Sequence, residues 1–209
     1  NAVYNMKKSV PLNNNSLRNI AVNINSTSVN PDGTNANPFK HITEAFEICN
    51  NTLGANIQIA EGTYPYTNIN GLKGRTQAGG SNIIVNGLYI NLCDYIYLYG
   101  INVNNTNAQQ NYDIYVESSK ARFSNVNLSE TENANFDIHN ATIEINNVQN
   151  IKFNSRSENT IICYDNNPTY KVVSGKIPNM NKPVRLCAGN LSNTTASTKG
   201  GECKLKRHG

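Results

Sequence analysis

Four isoleucines, Ile90, Ile114, Ile138 and Ile162, stand 24 residues apart. Their neighbours keep step: Leu88, Tyr112, Phe136 and Thr160 share one column, and Tyr89, Asp113, Asp137 and Ile161 share the next. Repetition at a fixed period of about 20 to 50 residues marks a chain that buries its apolar faces by stacking one unit on another. Isoleucine is common here, so the agreement of adjacent columns carries more weight than the isoleucines alone. The spacing predicts a solenoid and bounds the fold more tightly than any motif does.

A second pattern agrees. Leu98-Tyr99-Gly100-Ile101, Phe123-Ser124-Asn125-Val126 and Ile145-Asn146-Asn147-Val148 each set Gly or Asn between apolar residues, and Val85-Asn86-Gly87-Leu88 is a related run. Short alternating runs indicate half-buried strands, and Gly or Asn between them supplies the left-handed backbone of a tight bend. No helical pattern fits between the runs, so the strands must pair coil to coil, parallel and about 4.8 Å apart. The expected class is all-β: a parallel β-helix with coils of about 22–28 residues and a short N-terminal capping helix.

Asparagine accounts for about 40 of the 209 residues. These residues punctuate apolar columns instead of forming tracts, which favours bends and side-chain ladders of the cross-β kind over disorder. Net charge is +4, much of it contributed by Lys199, Lys204, Lys206 and Arg207 near the end of the chain. Along the chain, basic and aromatic residues do not interleave as in a single-strand-binding surface, so no nucleic-acid partner is expected. Five cysteines without a CxxC pair indicate neither a zinc ribbon nor a disulfide framework, although Cys187 and Cys203 are spaced to close a short loop. No apolar run approaches a membrane span, so no membrane insertion is expected. The opening Asn1-Ala2-Val3 reads as part of a longer polypeptide or a mature product.

The chain divides into a lead-in over 1–36, a capping helix over 37–54, the β-helix over 55–189 and a polar, basic extension over 190–209. In the helix, Asn37-Pro38 suits the N-cap and first position, Phe39, Ile42, Ala45, Phe46, Cys49 and Leu53 fall on one face, and Gly54 is placed to stop it. A helix there closes the open apolar end of a solenoid. Ile20–Ile24 reads as a first strand, Ile57–Ala60 as the first core strand, and the glycine-rich stretch 71–80 as a loop.

The run Asp32-Gly33-Thr34, Asn37-Pro38-Phe39, Ile42 with Glu44-Ala45, and Ile57-Gln58-Ile59-Ala60-Glu61-Gly62-Thr63-Tyr64 resembles the N-terminal entry of pectin-lyase-like right-handed β-helices, especially those of bacteriophage and prophage tail fibres. It covers about a quarter of the chain. The resemblance implies a virion tail or cell-surface location and a homotrimer. Its implied partners are host surface polysaccharide and other tail proteins. It is more specific for fold than for function, because tail fibres, depolymerases and adhesins share it.

Enzymes on this fold place carboxylates on the outer face of neighbouring coils. Asp113 and Asp137, in one column, are therefore the candidate catalytic pair, and a stacked pair of carboxylates also suits Ca²⁺. Tyr89, Tyr97, Tyr99, Tyr115 and His139 are the candidate ligand-binding residues, since flat aromatic faces stack on sugar rings. The expected function is a non-catalytic structural and receptor-binding module of a tail fibre. A polysaccharide depolymerase and a bacterial surface adhesin are the alternatives.

Overall fold

The computed structural model describes residues 18–49, 54–155, 160–164, 171–172 and 185–187. Their strands are β1 Arg18–Val22, β2 Ala55–Ile59, β3 Gly62–Tyr64, β4 Thr67–Asn70, β5 Arg75–Val85, β6 Leu88–Asn91, β7 Tyr95–Val103, β8 Ile114–Glu117, β9 Lys120–Leu128, β10 Phe136–His139, β11 Thr142–Gln149, β12 Lys152–Ser155, β13 Ile161–Tyr164, β14 Lys171–Val172 and β15 Arg185–Cys187. One helix, α1, spans Ile42–Ile48. Every strand pairing is parallel, and the strands fall into two sheets. A nine-stranded sheet runs β1-β2-β5-β7-β9-β11-β13-β15 with β3 beside β5, and a six-stranded sheet runs β14-β12-β10-β8-β6-β4. The chain is a parallel β-helix. Cys203 and the extension over 190–209 lie outside the described residues.

Alternation builds the core. In the larger sheet Ala55, Thr76, Ile96, Ala121, Ile143 and Ile162 stack in one inward column, and Ile57, Ala78, Leu98, Phe123 and Ile145 in the next; all are buried. From the smaller sheet Leu88, Ile114, Phe136 and Phe153 face them. Phe123 meets Phe136 edge to face with centroids 5.3 Å apart, and Phe136 meets Phe153 at 5.5 Å. Each such pair contributes about 0.5–1.5 kcal/mol beyond its buried area.

The long strands bend where the sequence places Gly or Asn. Gly100, Asn125 and Asn147 occupy one column with φ of 64°, 52° and 51°. Asn147 Nδ2 donates to Asn125 Oδ1 at 2.7 Å, so the bend column doubles as a ladder. Position 100 differs because β5 carries a bulge between Gly79 and Ile83. A Cβ on residue 100 would lie 2.0 Å from the carbonyl oxygen of Gly80, so only glycine fits there.

The 24-residue period is an average of unequal coils. Leu88 pairs with Ile114, a step of 26, and Ile114 pairs with Phe136, a step of 22. Leu88 and Phe136 therefore share a column as expected, whereas Tyr112 does not belong to it. Ile90 stacks on Val116 and then Ile138, while Ile162 lies in the other sheet beside Ile143. One consequence reaches the candidate site: Asp137 stacks on Tyr115, not on Asp113.

The helix is shorter than its sequence pattern. Its N-cap is His41, and Glu44 Oε2 accepts from the backbone N–H of Lys40 at 3.0 Å and of His41 at 3.1 Å. Asn37 instead closes the preceding turn, its carbonyl accepting from Asp32 and Gly33. Ile42, Ala45 and Phe46 are buried, and α1 packs against β1 and β4. Ala21 donates to the Gly33 carbonyl, Phe39 to that of Ala21 and Asn23 to that of Phe39. The segment 33–39 thus covers the free edge of β1, which would otherwise invite pairing with another chain. Among the described residues no helix is long and apolar enough to cross a membrane.

Candidate functional site

Asp113 and Asp137 serve separate structural tasks. Asp113 is 5% exposed and precedes β8; its carboxylate accepts from Asn105 N–H at 2.8 Å, Ser129 N–H at 2.7 Å and Ser129 Oγ at 3.1 Å. It ties together the loops that leave β7 and β9. Asp137 is fully buried in β10, where Oδ1 accepts from Asn154 Nδ2 at 3.0 Å; the same amide donates to the Tyr112 hydroxyl. Two residues of register separate the two acids, so the stacked pair on which paired-acid chemistry or Ca²⁺ binding rested is not formed. Among the described residues no group of three or more His, Cys, Asp and Glu side chains converges as a metal site.

The tyrosines divide between two outward faces. On the smaller sheet, β6 and β8 place Tyr89 beside Tyr115, with ring centroids 4.8 Å apart and planes within 4°. Glu117 Oε2 accepts from both hydroxyls at 3.2 Å, and Glu117 Oε1 lies 3.1 Å from His139 Nδ1. Three residues from three successive coils thus gather around the Glu117 carboxylate. Burial, reinforced by Glu117, holds the Tyr89 hydroxyl pKa above its usual value. His139 and Tyr115 come together as candidate residues, and Glu117 is their shared partner.

On the larger sheet, β7 turns Tyr95, Tyr97 and Tyr99 outward at every second position. Tyr95 lies between Arg75 of β5 and Lys120 of β9, whose charged groups are 4.7 Å and 5.5 Å from its ring centroid. Arg122 sits 5.0 Å from the Tyr97 centroid. The Tyr99 ring occupies the space a side chain at Gly79 would fill, since a Cβ there would be 2.7 Å from two ring atoms. Toward the N-terminal end the same face continues as an amide ladder: Gln77 Nε2 donates to Asn56 Oδ1 at 3.1 Å, and Asn56 Nδ2 to Asn19 Oδ1 at 3.2 Å. The stretch 75–80 that reads as a loop is therefore the first half of β5, with Arg75, Gln77 and Gly79 outward and Thr76 and Ala78 inward.

This arrangement changes what the tyrosines can do. Tyr89 and Tyr115 cover each other, and both faces of Tyr95 meet cations, so phenol tips and charged groups face solvent in place of bare ring faces. Sequence reasoning missed Arg75 and Glu144, which complete the larger face; Glu144 Oε2 accepts from the Tyr95 hydroxyl at 3.5 Å. The basic and aromatic residues that do not interleave along the chain do interleave across coils, and alternation within 75–80 was the signal available for Arg75. Compared with protein-family models, curated proteins and solved structures, the chain matches none.

Proposed function

We propose that this chain is a non-catalytic structural and receptor-binding module of a phage tail fibre or similar virion appendage, and that it engages host surface glycan. The observation that carries the reading is the outward face of the larger sheet. There Tyr95, Tyr97, Tyr99, Arg75, Lys120, Arg122 and a ladder of amides stand in register on a hydrogen-bonded scaffold. Such a face offers many donors and phenol tips to hydroxyl-rich ligands without ordering a loop to do so. The capped N-terminal edge and stacked coils accord with the resemblance to tail-fibre β-helices, from which the expected trimer also comes.

The test is a panel of purified bacterial surface glycans offered to the intact chain, with its mass in solution measured by light scattering. Glycan retention by an assembly of three chains is the expected result; a monomer that retains no glycan overturns the reading. One observation favours depolymerase activity as the second reading. The Glu117–His139 pair with Tyr89 and Tyr115 is the described cluster that combines a carboxylate, an imidazole and two phenols. Release of oligosaccharide ends that Glu117→Gln abolishes would establish it.

A further inference from the structure

Resting on the glycan-binding reading, the charge of the larger face narrows the class of ligand. Arg75, Lys120 and Arg122 each lie against a tyrosine ring, and rings that carry cations hold those charges in place at the surface. Among the described residues the ion pairs are Lys73–Asp94 and His139–Glu117, so none of the three cations has a carboxylate partner. Glu144 stands beside Arg122 in register, yet its contact is with the Tyr95 hydroxyl. Among the described side chains from β5 to β11, three cations and one acid therefore share a face on which phenol hydroxyls and amides provide the remaining polar groups.

The spacing selects a polymer over a small anion. Arg75 belongs to β5 and the other two cations to β9, two coils further on, which is about 10 Å at the usual strand separation. One carboxylate or sulfate cannot bridge that span, whereas a chain bearing acids at intervals can. The covered rings select against single-stranded nucleic acid, which gains its affinity by stacking bases on open aromatic faces. Both faces of Tyr95 are taken, and Arg122 holds one of Tyr97.

We propose that the outward face of the larger sheet binds an acidic polysaccharide, whose carboxylate or sulfate groups are held by Arg75, Lys120 and Arg122 while its hydroxyls meet Tyr97, Tyr99 and Gln77. Recognition is then by pinned charge, and its strength falls as salt screens it.

The test measures binding of the intact chain to polygalacturonate, dextran sulfate, neutral dextran and oligo-dT by affinity electrophoresis at low and at physiological salt. Both acidic glycans are expected to bind, the one bound more tightly identifying the anion, and neutral dextran and oligo-dT at least about tenfold more weakly. The triple variant Arg75→Gln/Lys120→Gln/Arg122→Gln is expected to lose about tenfold or more for the acidic glycans with an unchanged far-ultraviolet spectrum. Lys40→Gln, a charge removed from the N-terminal cap instead, is expected to change nothing. Equal binding of neutral dextran, indifferent to salt and to the triple variant, overturns this inference and leaves the glycan-binding reading standing. Oligo-dT binding as tight as that of the acidic glycans, or equal losses from Lys40→Gln, overturns it in favour of unspecific charge attraction. Failure of every glycan, neutral or acidic, together with the bacterial panel, removes both.

Discussion

The two tyrosine faces are built from the same residue type on the same scaffold, yet they neutralise their rings in opposite ways. On the smaller sheet Tyr89 and Tyr115 stack on each other, and their hydroxyls converge on Glu117 beside His139. On the larger sheet the tyrosines of β7 are interleaved with Arg75, Lys120 and Arg122. The difference lies in what the neighbouring coil offers at the same register. A ring above a ring makes a closed hydrogen-bonded cluster, whereas a ring between cations makes an open charged surface. One face ties successive coils together, and the other presents its charges outward.

The comparison breaks most readily at the backbone. Gly79→Val would drive its Cβ to 2.1 Å from the Tyr99 carbonyl oxygen and 2.7 Å from its ring, so the coil must shift. A loss of about 3 kcal/mol or more is expected in chemical denaturation. Asn68→Val, at the corresponding place one coil before Tyr89 on the smaller sheet, is exposed and should cost no more than about 0.5 kcal/mol. Equal costs would show that the larger face has no special need for glycine.

Removing each face's central charge comes next. Glu117→Ala takes the acceptor from two phenols and the partner from His139, with an expected loss of about 1–3 kcal/mol. Arg122→Ala removes the cation–π contact with Tyr97 and the guanidinium beside the Tyr95 hydroxyl at a half-buried site, together worth about 1 kcal/mol. Thermal melts of the two variants should rank in that order, and the reverse ranking would make the charged face the structural one.

Alkaline titration sharpens the contrast. Burial raises the hydroxyl pKa of both Tyr89 and Tyr95; Glu117 adds to the rise at Tyr89, while at Tyr95 Glu144 adds to it and Arg75 and Arg122 oppose it. Each folded pKa lies above the unfolded value of about 10, so this stabilisation is complete below pH 10 and is lost as pH rises through the folded pKa. Tyrosinate absorbance should show Glu117→Gln lowering the Tyr89 pKa and Arg75→Gln raising that of Tyr95. Shifts of the same sign would contradict the opposite electrostatics of the two faces.

The smallest expected effects are those of single hydroxyls. Tyr89→Phe loses a bond to Glu117 and should cost about 1 kcal/mol. Tyr97→Phe should stay within about 0.5 kcal/mol, because its ring contact with Arg122 is kept. Denaturation midpoints that do not differ would place both hydroxyls equally in water.

Much of the fold is legible because its rules are local. Gly100, Asn125 and Asn147 announce the bends, since few other residues accept a positive φ. The alternation of Ile143, Ile145 and their neighbours announces which side faces the core. The Asn37-Pro38 pair misplaces the helix boundary, because a turn and an N-cap favour the same residues; Glu44 sets it instead, its carboxylate reaching the backbone of Lys40 and His41. The candidate site is less legible. Tyr89, Tyr115 and His139 do gather, but the pairing of Asp113 with Asp137 failed when one coil proved two residues longer than the mean and the next two shorter.

The sequence by itself determined that the chain stacks as parallel coils and where its long strands bend, because a period of two and the steric limits on φ act within a few residues. Only the tertiary structure decided which outward residue stands above which. That choice depends on the length of every intervening loop, and a shift of two residues keeps each side chain on its face while exchanging its neighbour. So Asp113 became a loop anchor, Tyr115 took its place above Asp137, and Arg75 and Lys120, 45 positions apart, closed on the two sides of one ring.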